Sequence, residues 1–553
     1  MRATFKCPHC SKVAEVIKEK PLPKLHRIVY TLKCGHTTFE KLQIHEIPES
    51  RDEMWPLFFG YQQKGIEFLE RANFKALIAD EMALGKTIQA LGALRYNYDT
   101  LSPSLFVVKA SLIPNWIKEY VKWVLKDNKA LEGRYDVMPI PVMDGQTSPM
   151  PGFKCYILSM DLLNKPKIKQ WILETGFKTV VIDESHHFKN VNSKRTTAIN
   201  EVTGNVLNRI CLSGTPFLNN SLEYWPTLNF IHPEHFPSRK RFTDRFIDYD
   251  YETKRFLGLK KYARDDFFRL TEKYVIRREK KDVLKDLPPL RSTSQTISTF
   301  DRAFANAYNR ELDKLDGMLD AVKGDYAMRA SFMAILAQMS KMRHITGLAK
   351  VQAAFEYAEE FLASTDKNSK LCIGIHHKDV AEWLRTLLTK YEPVMISGAD
   401  SPVQKQEKED EFRTSKRLAI CNILAVGEGR NFQFCPNALV LERQWNRAKE
   451  AQFEGRFQRP IKCPKCDTPF IKVSPQDNIP YYLCSKCGET SAIIPVQIDY
   501  LLAAGTIDEF FAKLVELKGK VCDSTLSWEF DTDYHAIYQL AREVINARMR
   551  AGV

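Results

Sequence analysis

An apolar, strand-sized run from Lys75 to Ala79 leads directly into Asp80, Glu81, Met82, Ala83, Leu84, Gly85, Lys86 and Thr87, and no other stretch restricts the fold so tightly. A Gly-Lys-Thr closing a tight loop after a buried strand builds a nest of backbone N–H groups at a helix N-terminus. Its lysine reaches the β- and γ-phosphates of a nucleotide, and its hydroxyl can take Mg²⁺. Asp80 and Ala83 stand where such loops often carry glycine, so the match is modest by itself and the rest of the chain must weigh it.

Strand-sized apolar runs recur at Ser104 to Ala110, at Cys155 to Ser159, at Thr179 to Ser185 and from Arg209, with helical patterns between them. Together with the run before the loop they predict a parallel, doubly wound α/β sheet whose strand C-termini gather at one edge. A nucleotide would lie along that edge. The run Thr179 to Ser185 carries Asp183 and Glu184 at its tip, where one acid can hold Mg²⁺ and the other can polarise an attacking water. Adjacent acids are ordinarily surface charges; after a buried strand downstream of Lys86 they point to the nucleotide.

Between His235 and Pro289 the sheet pattern stops, and the Pro288–Pro289 pair marks a linker. Long helical patterns fill Asp301 to Leu362, after which strand-like runs resume at Leu371, Pro393, Leu418, Ala438 and Pro495. This predicts a second α/β lobe without a phosphate loop of its own. Gln452, Gly455, Arg456 and Arg459 share one helical neighbourhood there. Arginines so spaced can stabilise charge on a γ-phosphate held by the other lobe, or form an ordinary basic helix surface.

Seven of the thirteen cysteines lie in pairs or near-pairs. Cys463, Cys466, Cys484 and Cys487 make two CxxC knuckles, a strong zinc-ribbon signal that interrupts the second lobe. Cys7, Cys10, Cys34 and His36 suggest a second small ribbon at the amino terminus, with His9, His26 and His45 as rival fourth ligands and a pair of buried thiols as the alternative.

At 553 residues, 44% apolar and 27% charged, the chain has the length of about three to four domains with large cores. No run approaches the ~18 apolar residues needed to span a bilayer, and Met1 to Lys20 lacks an apolar signal core, so a soluble, unexported chain is expected. A formal charge of +13 suits a polyanionic partner, although a mixed solvated surface would also produce it.

Taken together, the ordered segments resemble superfamily 2 helicase-like motors, specifically SWI/SNF-type DNA translocases, over roughly residues 55 to 520. GYQQKG around Gln62 resembles the adenine-reading Q motif, DEMALGKT motif I, VVKASLIPNW motif Ia, DESHHFKN motif II and LSGTPFLNN motif III. RREKKDVLKDLPP is similar to the family's segment between the lobes. HHKDV, AVGEGRNFQ and QFEGRFQR resemble motifs IV, V and VI, and GTIDEF the brace that follows them.

The resemblance implies two RecA-like parallel-sheet lobes with helical protrusions; the cysteine spacing adds an N-terminal zinc ribbon and a zinc-ribbon insertion in the second lobe, where GRFQRPIKCPKC departs from a family that usually continues uninterrupted after motif VI. The expected division is 1–48 ribbon, 49–235 first lobe, 236–300 helical protrusion and linker, 301–515 second lobe with protrusion 301–362 and insertion 461–490, and 516–553 a C-terminal helical segment. It further implies that Gln62 reads adenine and that residues Asp80 through Thr87, with Gly429 and Gln452, surround ATP. Asp183 and Glu184 serve Mg²⁺ and water, and Arg456 and Arg459 complete the site. His186, Ser213 and Thr215 couple it to nucleic acid, while Lys109, Ser111, His376 and Asn431 are candidates for DNA-backbone contacts. Besides the zinc diversion after motif VI, two departures stand out: Ala83 replaces a usual glycine, and Lys109 a common proline.

The function implied is an ATP-driven translocase on double-stranded or branched DNA, acting by branch migration or fork reversal, with ATP, Mg²⁺ and two structural Zn²⁺. The text MRHITGLAKV resembles the fork-remodelling, annealing-helicase branch. Rivals are a strand-separating helicase, a motor that displaces proteins such as polymerase from DNA, and an ATPase-silent zinc-ribbon scaffold. The compact plan suits a virus or bacterium, and a monomer is expected. The expected place is the cytoplasm, of a bacterium or of a virus's host cell, or the nucleus if the chain is eukaryotic.

Overall fold

The structure is a computed structural model. It describes the chain except residues 1–3, 7–9, 11–12, 23–26, 42–50, 146–148, 189, 192, 205, 215–220, 251–254, 322–323, 428–429, 445–446, 462, 467, 469, 474–479, 514–540, 546–547 and 549–553. Two compact units divide at Val283 and Leu284.

The first unit is built on a seven-stranded sheet in which every pairing is parallel. In spatial order the strands are Val275–Ile276, Lys75–Ile78, Asn208–Leu212, Thr179–Ile182, Ser104–Val108, Cys155–Ser159 and Pro139–Val142. The five anticipated strands are all present. Their central residues, such as Leu77, Val107, Ile157 and Val181, are buried on both faces of the sheet, which is why they read as unbroken apolar runs rather than alternating ones. Helices Gly60–Arg71 and Lys86–Tyr96 pack Ile66, Leu69, Leu91 and Leu94 into the core on one side.

Both edge strands are additions to the sequence reading. Pro139–Val142 contains two prolines, which cannot donate to a ladder and belong only at an edge. Val275–Ile276 is two residues long inside basic text. Between the last two of the seven strands in chain order lie helices Arg239–Phe246 and Arg264–Thr271 and an antiparallel hairpin, Ile247–Asp250 with Arg255–Leu259. Phe242, Phe246 and Phe267 pack edge to face there as a small aromatic core. At the amino terminus Thr4–Lys6, Val13–Leu22, Arg27–Leu32 and Thr37–Lys41 form an antiparallel meander.

The second unit has a six-stranded parallel sheet in the order Leu290–Ile297, Val496–Ala503, Asn437–Val440, Leu371–Ile375, Leu418–Asn422 and Val394–Ile396. The edge strand Leu290–Ile297 falls in text expected as linker. Its inner residues are polar and exposed, so no apolar run announces it; its pairing with Val496–Ala503 makes it a strand. Helices Arg302–Asp320, Gly324–Ala349 and Val351–Ser364 occupy the expected helical stretch. Lys350, fully buried, donates to Asp508 Oδ2 at 2.5 Å and to Leu501 O at 2.9 Å, tying these helices to the brace segment.

The insertion is a three-stranded antiparallel sheet, Phe470–Val473, Tyr481–Cys484 and Thr490–Ala492. Most of the expected C-terminal helical segment lies outside the described residues, as do Cys7, Thr215 and Gly429. Among the described residues no helix is long and apolar enough to cross a membrane.

Candidate nucleotide site

The loop after Lys75–Ile78 turns through two left-handed residues, Ala83 at φ 68° and Gly85 at φ 71°, before helix Lys86–Tyr96 begins. Glycine takes this conformation freely, whereas alanine pays a steric cost there. The position of Ala83 is therefore strained by its backbone angle, a cost additional to any crowding by its methyl group. Lys86 Nζ donates to Asp80 O at 3.0 Å and reaches Glu81 O at 3.4 Å, so the lysine lies back across its own loop. Gln62 caps its helix through Phe59 N at 3.0 Å and sets its amide 3.4 Å from Leu84 O. A Cβ on Gly85 would come within 2.4 Å of that amide nitrogen, so glycine is needed for this close approach.

The strand Asn208–Leu212 lies between the loop strand and Thr179–Ile182, which brings Ser213 between the phosphate loop and the paired acids. Asp183 is buried. Its Oδ2 accepts from the indole of Trp116 at 3.0 Å, and its Oδ1 from Glu184 N at 2.9 Å. Burial, followed by the neighbouring Glu184 charge, raises the Asp183 carboxyl to about 6. Burial also pushes Glu184 upward, but His186 and then Lys86 and Lys109 outweigh it and hold Glu184 down at about 2.

Glu184 occupies the left-handed region at φ 48°, costly for a non-glycine residue and common where a site dictates the backbone. Its Oε2 lies 3.2 Å from His186 Nδ1 without the alignment of a hydrogen bond, whereas Nδ1 meets Ser213 Oγ at 3.1 Å. A buried acid pushed toward protonation, with a partly buried second acid beside it, matches what a divalent cation would relieve. Thr87 at the start of the helix and Asp183 are oxygen donors that could hold Mg²⁺.

In the second unit, Arg456 donates to Gly427 O through Nη2 at 2.5 Å and Nε at 3.1 Å, and Arg459 Nη2 donates to Arg430 O at 3.0 Å. Gln452, nearly buried on the same helix, faces Gly427. The structure thus turns Gln452, Arg456 and Arg459 toward the backbone at Gly427 and Arg430. The backbone-contact candidates divide between the two units, two in each. Lys109 and Ser111 share the turn after Ser104–Val108, and the charge of Lys109 bears on Glu184 and His187. His376 follows Leu371–Ile375, where burial lowers it to about 4, and Asn431 Oδ1 accepts from Gln433 N at 3.3 Å.

Four thiols meet in the insertion: Cys463 to Cys487 at 3.5 Å, Cys466 to Cys484 at 3.4 Å and Cys466 to Cys487 at 3.8 Å. A tetrahedral zinc with Zn–S bonds of ~2.3 Å needs sulfurs about 3.8 Å apart, so the set fits that ion. Cys10, Cys34 and His36 bring their ligand atoms within 4.8 Å of one another. Cys7, the other half of the expected CxxC knuckle, and the rival fourth ligands His9, His26 and His45 lie outside the described residues.

Sequence reasoning missed the surroundings of Asp80. Its carboxylate is fully buried and is taken by Arg278 and Gln89, not turned toward a phosphate. The signal is the family-like RREKKD text, which the sequence assigns to the segment between the lobes and the structure sets beside the loop.

A phosphate loop, paired acids at a nearby strand tip and a histidine–serine link between neighbouring strands define a phosphate-loop α/β protein. The SNF2-related domain matches residues 61–348, more than half of the 553, and the chain belongs to that family. An uncharacterized ATP-dependent helicase of Mycoplasma pneumoniae is 28% identical over 426 residues, covering 72% of this chain and 38% of that one. A DNA annealing helicase and endonuclease of Homo sapiens is 26% identical over 525 residues, covering 92% of this chain and 44% of that one. The chain therefore spans less than half the length of either relative. The SWI2/SNF2 ATPase core of Sulfolobus solfataricus in complex with dsDNA matches 92% of this chain and 100% of that one at 19% identity, with a TM-score of 0.38 too low for its arrangement to be carried across.

Proposed function

We propose that this chain is an ATP-driven motor that moves along double-stranded DNA and remodels branched DNA by branch migration or fork reversal. The observation that carries the reading is the meeting of Lys86, the Asp183–Glu184 pair and the His186–Ser213 link at one sheet edge in a member of the SNF2-related domain family. Lys86 moves from the loop carbonyls it now satisfies to the β- and γ-phosphates. A Mg²⁺ held by Thr87 and Asp183 supplies charge neutralisation when bound. Glu184, kept ionised beside His186, orients the attacking water. Arg456 and Arg459 stabilise the charge that develops on the γ-phosphate, and Gln62 reads adenine. His186 and Ser213 couple hydrolysis to DNA, whose phosphates are held without base reading, so affinity is salt-sensitive and nearly independent of sequence.

Similarity to the human DNA annealing helicase and endonuclease supports the fork-remodelling branch over plain translocation. The test measures ATP turnover with single-stranded, duplex and four-way-junction DNA and scores junction products in the same reactions. Junction DNA is expected to stimulate most and to be branch-migrated. Stimulation no greater than that by duplex, with no junction product, overturns the fork-remodelling reading. Lys86→Ala is expected to abolish turnover and keep DNA binding.

We infer zinc in both cysteine clusters. For the insertion, one observation favours a stapling role over DNA contact. Tyr482, fully buried, donates its hydroxyl to Asp286 O at 3.1 Å, and Lys472 N donates to Asp286 Oδ1 at 3.0 Å. The insertion thereby grips the segment through which the chain enters the second unit. Among the described residues its own buried apolar core is Cys463, Phe470, Tyr482 and Cys484, with Ile461, Cys466 and Ile493 packed against it, too small to hold without a metal.

A further inference from the structure

The basic segment Arg277–Lys281 lies against the phosphate loop within the first unit. Its pairing with the loop strand begins at Leu77 N, which donates to Tyr274 O at 2.8 Å, and continues through Ala79 N to Ile276 O at 2.7 Å. It does not stop at the strand end. Glu81 N, inside the loop, donates to Arg278 O at 2.9 Å, and Lys280 N donates to Glu81 Oε2 at 2.6 Å.

The Arg278 side chain then reaches three elements. Nε and Nη2 grip the Asp80 carboxylate at 2.9 and 2.5 Å, Nη2 also donates to Gln89 Oε1 at 2.7 Å, and Nη1 donates to Tyr61 O. Asp80 starts the loop, Gln89 lies on the helix that follows it, and Tyr61 immediately precedes Gln62. Glycine at position 65 leaves room for this convergence, since a Cβ there would stand 3.0 Å from Arg278 Nη2 and 1.8 Å from Gln89 Oε1. The Asp80 side chain is fully buried and that of Arg278 is 14% exposed, so water competes weakly for the fork.

We infer that Arg278 is a positioning residue for nucleotide binding: it holds the phosphate loop and the Gln62 turn in register with each other. Only a planar guanidinium satisfies a carboxylate through two parallel bonds while donating to a carbonyl and an amide on other elements; an ammonium supplies the charge but not the geometry. The inference rests on reading Asp80 to Thr87 as the nucleotide loop. It goes beyond that reading by assigning the loop's shape to a residue nearly two hundred positions downstream, on the segment that leaves the first unit.

The test uses the full chain with Arg278→Lys and with the doubly neutral pair Asp80→Asn/Arg278→Gln, which leaves no stranded charge. Binding of a fluorescent ADP analogue, KM and kcat for ATP, circular dichroism and thermal melting are measured on each. Both variants are expected to fold. Nucleotide Kd and KM are expected to rise about tenfold, as loss of one charge-assisted hydrogen bond produces, with kcat at saturating ATP within about threefold. Folded variants with wild-type Kd and KM overturn the inference, and so does failure of both to fold, which assigns Arg278 to stability alone. A wild-type chain that binds no nucleotide overturns instead the reading on which the inference rests.

Discussion

The imidazole of His186 and the hydroxyl of Ser213 meet at 3.1 Å from the ends of two neighbouring strands, Thr179–Ile182 and Asn208–Leu212. Both side chains are buried, and the same ring nitrogen stands 3.2 Å from Glu184 Oε2. The acid assigned to water is thus one side chain away from the segment assigned to coupling.

Ser213→Ala removes that partner without creating a large cavity. A hydrogen bond worth about 1 kcal/mol corresponds to roughly a fivefold effect. DNA-stimulated ATP turnover is expected to fall by about that factor, while affinity for a nucleotide analogue without DNA changes less than about twofold. Parallel titrations with duplex DNA and with the analogue check both.

The raised carboxyl of Asp183, about 6 against an ordinary 3.8, has a stability consequence of definite sign. Between those values the folded chain holds a proton that the unfolded chain has released. Stability from this group therefore falls as pH rises through the window, and the full cost remains above it. In metal-free buffer at pH 8, Asp183→Asn is expected to melt a few degrees higher than wild type, for a gain on the order of 1–2 kcal/mol. The gain should shrink toward pH 5, and turnover should be lost at every pH. Melting curves at the two pH values check it.

Ala83 holds φ 68° in the loop. Glycine there relieves a strain of about 1 kcal/mol. Ala83→Gly is expected to raise the melting temperature of the nucleotide-free chain slightly and to leave KM for ATP within about twofold. Differential scanning calorimetry and steady-state kinetics decide.

The hold of the insertion on Asp286 links metal to backbone protection. Cys466→Ser is expected to lose one equivalent of zinc relative to wild type and to speed hydrogen exchange at the Lys472 amide and at residues 284–290. Tyr482→Phe should keep its zinc yet speed exchange over the same residues, by about five- to tenfold for one lost hydrogen bond. Elemental analysis and exchange mass spectrometry read the two effects separately.

The central strands were legible because burial on both faces writes them as unbroken apolar text, as at Leu105–Val108 and Val180–Ile182. The edge strands were not. Pro139–Val142 and the polar Leu290–Ile297 owe their conformation to a neighbour's free backbone groups, and a one-dimensional pattern does not carry that information. The four thiols of the insertion were legible from spacing, since a knuckle is a local motif.

By itself the sequence determined what is local: a phosphate loop between a strand and a helix, acids at a strand tip, two cysteine knuckles and the order of the family's motifs. Local chemistry suffices there because neighbours in the chain are neighbours in space. Which partner each buried charge would take was decided only by the tertiary structure. Asp80 reads as one more loop residue, yet burying its carboxylate demanded a guanidinium, and the parallel ladder supplied Arg278 from the edge strand beside the loop strand. The loop of Asp80 to Thr87 is written in consecutive residues, but its shape is held by a contact that only folding creates.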